Sequence, residues 1–409
     1  MTQLELAIRD ATPNVRARLV GTFRDFDLAE DALQEALLKA WQNWPKQGVP
    51  NHPAAWLTTV AKRQAIDVLR KRNVHASALE HLRDDPIDQE IDLFQDDLLR
   101  LIFTCCHPAL SLEAQVALTL RAVVDLSLEQ IARGFLVAPR TMEQRLVRAK
   151  RKIKRAGIPY EIPGLGEFPA RLNGVLKVIY LIFNEGYSTT NGPELLSISF
   201  CNIGIHLGRQ VARLRRGQSE ILGLLSLMLL QHSRAGARVD LSGEMVLLAD
   251  QDRALWDNAL IQEGCFLLDK ALALKQRPGP YQVQAAIAAI HASAPSSKDT
   301  DWNEILSLYN KLVELQPTSI VRLNRAVALA MAKDAHAGLK ELNDLASDKH
   351  MLGFYLYHST RGALYIRADR YEEALLSYQT SLGLAKNERE QAFIRRQIDI
   401  IQNRGVTPC

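Results

Sequence analysis

The 409-residue sequence is short of several features that would otherwise direct its reading. It has five cysteines, Cys105, Cys106, Cys201, Cys265 and Cys409, and no two of them form a CxxC pair. Neither a zinc site nor a disulfide framework is signalled, and a reducing cytoplasm is the expected compartment. The start, MTQLELAIRD, has no basic stretch followed by an apolar core, so no signal peptide is expected. The longest apolar runs, Val178–Phe183 and Ile221–Leu230, reach half a membrane span or less. A soluble chain with no membrane partner is therefore expected. No GxxxxGK[ST] or GxGxxG stretch occurs, so nucleotide chemistry has no support. No cofactor, metal or catalytic group is expected. Aromatics make up only 6% and hydrophobic residues 47%, a Leu- and Ala-rich composition that favours helix.

The formal net charge of +4 hides a pattern. Met1–His75 carries 11 basic and 8 acidic residues, Ala76–Leu110 carries 2 against 8, and Ser111–Ala156 carries 10 against 4. Two basic modules on either side of an acidic strap suggest a polyanion partner for the modules and a different one for the strap. Apolar residues recur at three- and four-residue steps nearly throughout, which predicts an all-α chain. Its breaks fall at Trp44–Pro53, at the acidic stretch Asp84–Asp97, which reads as a linker, and at the Gly- and Pro-rich Gly157–Pro169.

The second basic module has the grammar of a helix-turn-helix. Ser127 is placed to cap a helix whose first turn holds Glu129 and Gln130. Gly134–Ala138 make the turn, and Pro139 opens the next helix, where its missing N–H is harmless. On that helix Met142, Leu146, Ala149 and Ile153 form a buried stripe. Arg140, Thr141, Gln144, Arg145, Arg148 and Lys152 then lie on open faces, where they could donate to base edges and phosphates. The competing reading is a solvated basic helix of a bundle.

In the first module, Leu28–Trp41 reads as an amphipathic helix with Leu33, Leu37 and Trp41 on one face. Asp31, Gln34, Glu35 and Leu38 lie on another, suited to docking on a basic protein surface. In Ala54–Arg72, Trp56, Val60 and Leu69 can pack, while Lys62, Arg63, Gln64, Arg70 and Lys71 supply donors beside Thr58 and Thr59. A basic helix next to an aromatic-bearing loop could hold single-stranded DNA. The residues fit a bundle with a charged face equally well.

AEDALQEALLKAW followed by AAWLTTVAKRQAIDVLRKR resembles region 2 of the extracytoplasmic-function sigma factors, and SLEQIARGFLVAPRTMEQRLVRAKRKI resembles their region 4. The resemblance covers about the first 155 residues, in the family's order. It implies that Asp31, Gln34, Glu35 and Leu38 meet core RNA polymerase. Trp56, Lys62, Arg63, Gln64, Arg70 and Lys71 would serve the minus-ten element of promoter DNA, with a flipped base received by the loop before Trp56. Arg140, Thr141, Gln144, Arg145 and Arg148 would read the minus-thirty-five element, and the acidic linker would thread the polymerase's RNA path. The chain departs from the ordinary family by about 250 further residues. RLIFTCCHPALS and VIYLIFNEGYSTTNGPELL resemble a subgroup with a long C-terminal extension. The implied order is region 2 at 1–75, acidic linker at 76–100, region 4 at 101–156, a connector at 157–169 and a helical extension at 170–409. A DNA-binding regulator that never joins the polymerase is the alternative, and a solenoid enzyme around Glu185 a distant third.

Within the extension, Gly362, Tyr365, Ala374, Tyr378 and Ser381 have tetratricopeptide spacing. Ala326, Leu329, Gly338, Leu342 and Leu345 repeat the offsets 36 residues earlier. Tyr309, Leu312 and Pro317 resemble the second helix of a third unit, and Gly264, Leu268 and Ala271 could begin a fourth. Helical-hairpin repeats are expected from about residue 256, with a protein or peptide as their ligand. Cys105-Cys106-His107 invites a metal or redox reading and Asn184-Glu185-Gly186-Tyr187 a catalytic one. Adjacent cysteines do not reach one tetrahedral ion easily, and Gly186 can simply end a helix, so packing roles are preferred for both.

Overall fold

The computed structural model describes residues 3–71, 90–135, 137–164, 166–188, 194–238, 240, 246–385 and 388–404. All regular structure among them is helical, and the chain divides into two compact units, Met1–Ile182 and Phe183–Cys409. Residues 72–89, which include the first part of the acidic strap, lie outside the described residues.

The first unit contains α1 (Gln3–Phe23), α2 (Phe26–Gln47), α3 (Pro53–Lys71), α4 (Glu90–Cys105), α5 (Leu112–Ala122), α6 (Leu128–Gly134) and α7 (Pro139–Arg155). Helix α8 (Phe168–Ser188) begins in it and runs on into the second unit. Local chemistry sets the boundaries. The Asp25 carboxylate accepts from the backbone of Asp27 and Leu28 and so starts α2. Gly48, at φ 83°, ends α2 with its N–H on the Trp44 carbonyl.

Several expectations change here. The break expected over Trp44–Pro53 begins four residues late, because α2 continues to Gln47 with Pro45 inside its last turn. Trp44 holds that turn down: it is buried and packs edge-on against Trp56 at 5.4 Å. Trp41 is not in the core but 48% exposed. Steps of four drift roughly 40° each around a helix, so Trp41 has rotated away from Leu33. In α3 the buried face is Ala55, Leu57, Thr58, Ala61, Ala65 and Ile66, whereas Trp56, Val60 and Leu69 are only half-buried. Small residues let α3 lie close on α1 and α2 there. Finally, Glu90–Asp97 belongs to α4 rather than to a linker. Asp97 is buried, its carboxylate bonded to Arg18 at 3.0 Å and Arg100 at 2.9 Å.

A buried guanidinium joins the helices of this unit. Arg16 on α1 is 3% exposed. It donates to Glu30 on α2 at 2.9 Å, to the Ala122 carbonyl ending α5 at 3.1 Å, and to the carboxylate of Asp125. Arg121 reaches the other oxygen of Glu30 at 2.8 Å. Asp125 takes the left-handed conformation, φ 64°, which Asp tolerates better than most residues. Lys150 and Lys154 of α7 add outer pairs to Asp27 at 2.9 Å and Asp25 at 3.0 Å. Exposed pairs of that kind contribute ~0–1 kcal/mol.

The connector is packed rather than free. Ile158, Tyr160 and Phe168 are buried. The Tyr160 hydroxyl shares its one proton between the carbonyls of Ala17 on α1, at 2.5 Å, and Asp97 on α4, at 3.0 Å. A Cβ on Gly21 would stand 2.9 Å from the Tyr160 ring, so only glycine leaves room for it. Phe168 packs on Phe103 at 5.6 Å, and Arg171 donates to the Phe103 carbonyl at 2.8 Å. These contacts carry the first unit past the expected limit at Ala156.

The second unit continues with α9 (Glu194–Leu214), α10 (Ser219–His232), α11 (Asn258–Ala273), α12 (Pro280–Ser293), α13 (Trp302–Leu315), α14 (Ser319–Ala332), α15 (Ala335–Leu345), α16 (Lys349–Leu352), α17 (Tyr355–Arg367), α18 (Tyr371–Leu384) and α19 (Glu388–Arg404). Consecutive hairpins α14–α15 and α17–α18 carry the repeat residues at the expected offsets. A Cβ on Gly338 would meet the Ala326 carbonyl at 2.6 Å, and one on Gly362 the Tyr378 ring at 2.7 Å. Tyr309 and Leu312 lie on α13, which pairs with α12 and α14. Gly264 differs from its expected role, because its notch on α11 receives Leu230 of the preceding α10. Ser226 of α10 also donates to the Gly264 carbonyl at 2.7 Å.

Three stability experiments follow from this packing. Arg16→Met should cost about 3 kcal/mol in urea unfolding, because the half-buried Glu30 keeps only Arg121 as a partner and Asp125 and the Ala122 carbonyl lose their buried donor. Burial alone would raise the Glu30 pKa, but Arg16 and Arg121 outweigh it and hold it below the ordinary value. The stability it confers is therefore full above the ordinary carboxylate pKa and lost as pH falls through the lowered one. Glu30→Gln should flatten the acid limb of the stability curve relative to wild type. In the second unit, Gly338→Ala should lower the unfolding free energy by about 1–2 kcal/mol and the midpoint with it, helix propensity offsetting only part of the overpacking. An unchanged midpoint would show that the α14–α15 crossing is slack.

Candidate nucleic-acid and protein interface

The helix-turn-helix is built from local signals. Ser127 and Gln130 cap α6 reciprocally: the Gln130 N–H donates to Ser127 Oγ at 3.2 Å, and the Ser127 N–H to Gln130 Oε1 at 2.8 Å. Pro139 opens α7, and Met142, Leu146, Ala149 and Ile153 are its buried stripe. Eight of the seventeen residues of α7 are Lys or Arg and only Glu143 is acidic.

Not all of that charge is available. Lys150 and Lys154 face α2, and Arg145 is drawn sideways to Glu113 of α5 at 3.2 Å. Arg140, Thr141, Gln144 and Arg148 are exposed. Arg145 is thus the predicted reading residue that sits at the margin of the face rather than on it. Arg151 and Arg155 are also exposed and continue the line of Gln144 and Arg148 at three- and four-residue steps. The spacing alone could have found them.

On α3, Trp56, Arg63, Arg70 and Lys71 fall within one arc, at seven-residue steps from Trp56 to Arg63 to Arg70. Arg63, Arg70 and Lys71 are exposed, and Trp56 is half-buried against Trp44. Gln64 lies at the flank of the arc. Lys62 lies roughly 120° from Trp56, towards the buried side, and is apart from the others. Asp67 is exposed within the same arc and partly offsets its charge. Thr58, expected beside the donors, is buried, and Thr59 donates to the Ala55 carbonyl at 3.0 Å.

The face of α2 opposite its core holds Asp31, Gln34, Glu35 and Leu38, all exposed, Leu38 by 55%. Trp41 joins them beside Gln34. Two large apolar side chains ringed by carboxylates form a mixed patch that a water-facing helix does not need.

The tempting Cys105-Cys106-His107 motif is taken up by local packing and turn contacts. Cys105 and Cys106 are buried, burial pushes the Cys106 thiol up to about 12, and its sulfur contacts Thr119 Oγ1 at 3.6 Å. The His107 ring accepts the Ala109 N–H at 3.1 Å within a turn. Among the described residues no His, Cys, Asp and Glu cluster could hold a metal, and no helix is long and apolar enough to cross a membrane. The side chains of Glu185 and Tyr187 lie outside the described residues.

Comparison with known proteins agrees with this layout. Residues 8–74 match sigma-70 region 2, residues 100–153 match sigma-70 region 4, and residues 171–272 match a family of unknown function, DUF6596. The "Uncharacterized protein R00370" of Rhizobium meliloti (strain 1021) is 45% identical over 406 residues, covering 97% of this chain and 95% of the relative. The chain belongs to the sigma-70 family, in the extracytoplasmic-function group whose members carry a helical C-terminal extension, and its role is sigma-factor-like, in transcription initiation. A tetratricopeptide repeat protein from Parabacteroides merdae superposes with a TM-score of 0.36 at 12% identity, covering 91% of this chain and all of that one. The P58(IPK) TPR domain superposes with a TM-score of 0.26, also at 12% identity, covering 98% of each chain. Superpositions this loose add nothing to the hairpins already described.

The cap makes a direct prediction. Ser127→Ala should lower the stability of the first unit by about 1 kcal/mol, since the Gln130 N–H at the start of α6 loses its fixed acceptor. Amide hydrogen exchange at Gln130 should rise with it; unchanged exchange there would mean that the cap is idle in solution.

Proposed function

We propose that this chain is a promoter-recognition subunit that binds core RNA polymerase and supports initiation without catalytic chemistry of its own. The observation that carries the proposal is the pairing, in one unit, of an exposed helix-turn-helix face with the exposed acidic and apolar face of α2. A regulator that acts on DNA alone has use for the first and none for the second.

On this reading Asp31, Gln34, Glu35, Leu38 and Trp41 dock on a basic surface of the polymerase. Arg140, Thr141, Gln144 and Arg148 read the minus-thirty-five element, with Arg145 joining them only after leaving Glu113. Trp56, Gln64, Arg63, Arg70 and Lys71 serve the melted minus-ten region, Lys62 contributing from the side. The loop Gly48–His52 and the Trp44–Trp56 pair would form the wall for an unstacked base, where stacking contributes ~1–3 kcal/mol per base. The residues between α3 and α4 would follow the RNA path, and the hairpins of the second unit would hold a protein or peptide and regulate the first.

Co-elution with core polymerase and transcription from a supercoiled promoter test the reading. Asp31→Lys with Glu35→Lys should weaken polymerase binding at least tenfold, about 1.4 kcal/mol, while duplex DNA binding stays unchanged. Gln144→Ala should cost ~1–3 kcal/mol and relax selectivity at one upstream base pair. Arg148→Ala should weaken all sequences alike and reduce the salt slope by about one if it meets phosphate. Wild-type co-elution and transcription from the α2 variant would defeat the sigma-factor reading.

A further inference from the structure

In the described form, the two modules that would read DNA are held together, and a residue of the connector sits in the seam. Helices α1 and α2 belong to the region 2 match, and α5 to α7 to the region 4 match. They are joined by Arg16, Glu30, Arg121 and Asp125, with Lys150 and Lys154 outside. Deeper in, Tyr160 bridges α1 and α4 through the two carbonyls that share its hydroxyl proton, with its ring in the notch left by Gly21. Arg24, itself at φ 54° after α1, lies over the outer face of that ring at 5.3 Å. Tyr160 belongs to neither module. It lies on the segment that leads from region 4 into the extension.

This arrangement conflicts with promoter geometry. A compact unit of 182 residues has a radius of gyration of ~16 Å and is therefore roughly 40 Å across. Elements centred near positions minus ten and minus thirty-five are about 25 base pairs apart, or roughly 85 Å of straight duplex at ~3.4 Å per pair. Reading faces held within one such unit do not span that distance.

We propose that the connector is a clasp: Tyr160, seated between α1 and α4, keeps regions 2 and 4 in a closed form that cannot engage both promoter elements, and promoter binding requires its withdrawal. The proposal rests on the sigma-factor reading for its promoter half only, since the closed form and its dependence on Tyr160 can be measured in the free chain. Because the segment that bears Tyr160 continues directly into α8, tension or reorientation of the extension would act on the clasp through the chain itself.

The test uses the full chain with spin labels at cysteines replacing Lys46, at the end of α2, and Leu112, at the start of α5. Both positions are exposed. Cys265 and Cys409 are changed to Ser, and the other cysteines are buried. Pulsed dipolar distances are recorded for the free protein, and with core polymerase and promoter DNA added. The free wild type should give one narrow distance, and the promoter complex should lengthen it by more than ~20 Å. Tyr160→Ala should show the longer distance without DNA, at a population at least tenfold above wild type. Tyr160→Phe keeps the ring in the notch and should shift the population in the same direction by less, which covers the case in which the alanine variant does not fold. A free wild type that is already long and broad would overturn the clasp. So would a promoter complex that keeps the short distance, or Tyr160 variants that match wild type. If the variants open the free chain while the protein fails to co-elute with polymerase, the clasp stands and the sigma-factor reading falls.

Discussion

One guanidinium sets most of the geometry of the first unit. Removing Arg16 from water costs several kcal/mol unless its donors are met. Burial by itself would lower its pKa, and Glu30 and Asp125 reverse that, leaving it above its ordinary value. Each acceptor comes from a different place: α2, the end of α5, and the turn beyond it. A planar fork can meet three acceptors at fixed angles, which a lysine ammonium would not do at the same spacing. The requirement to satisfy Arg16 therefore fixes the Ala122–Asp125 turn against α1, and the start of α6 with it. Glu30 is held by Arg16 and Arg121 at once, so neither arginine can move without leaving a half-buried carboxylate short of a partner.

How legible this was depends on the range of each interaction. The cap of α6, Pro139, and the stripe Met142–Leu146–Ala149–Ile153 depend on residues within a turn or two, and all were visible in the sequence. The same holds for the offsets around Gly338 and Gly362, because a small residue must recur wherever two helices cross closely. Phase over longer helices was less secure. Trp41 and Trp44 differ by three residues, and only contact with Trp56 decides which of them turns inward. Composition misled at Asp97: an acidic run reads as solvated until Arg18 and Arg100, one of them 79 residues away, are seen to neutralise it. The Arg16 network joins residues 106 and 109 positions apart, and no local pattern announces it.

The second unit follows a different rule. Its hairpins are held by apolar contact and by glycines that admit a neighbouring helix, so each pair depends mainly on the next. Two clusters divide its later helices. One centres on Ile305 and Leu312 of α13, the other on Tyr357 and Tyr378 of α17 and α18. Gly264 shows where the repeat logic stops. Its notch is filled backwards, by α10, a helix buried along nearly its whole length. A helix apolar on every side needs neighbours on every side, and α11 and α12 both pack on it. That requirement overrode the hairpin order that the glycine spacing suggested.

The distribution of charge on α7 shows what a closed first unit would withhold and what it would leave open. Lys150 and Lys154, on the flank nearest α2, are paired with Asp27 and Asp25, whereas Arg140, Gln144, Arg148, Arg151 and Arg155 remain exposed. On α3, Arg63, Arg70 and Lys71 are exposed as well. Closure therefore hides neither reading face, and each module keeps its own electrostatic affinity for DNA. What closure removes is simultaneity. Two linked sites that bind together gain through effective concentration, an advantage of ~10²–10⁴ over either alone that vanishes when geometry forbids both. A closed chain would bind DNA weakly and with little selectivity, and an open one on polymerase would bind strongly at a site carrying both elements. On this proposal, control of promoter choice would need no change in either candidate reading face, only in the balance between a buried tyrosine and the span of the DNA.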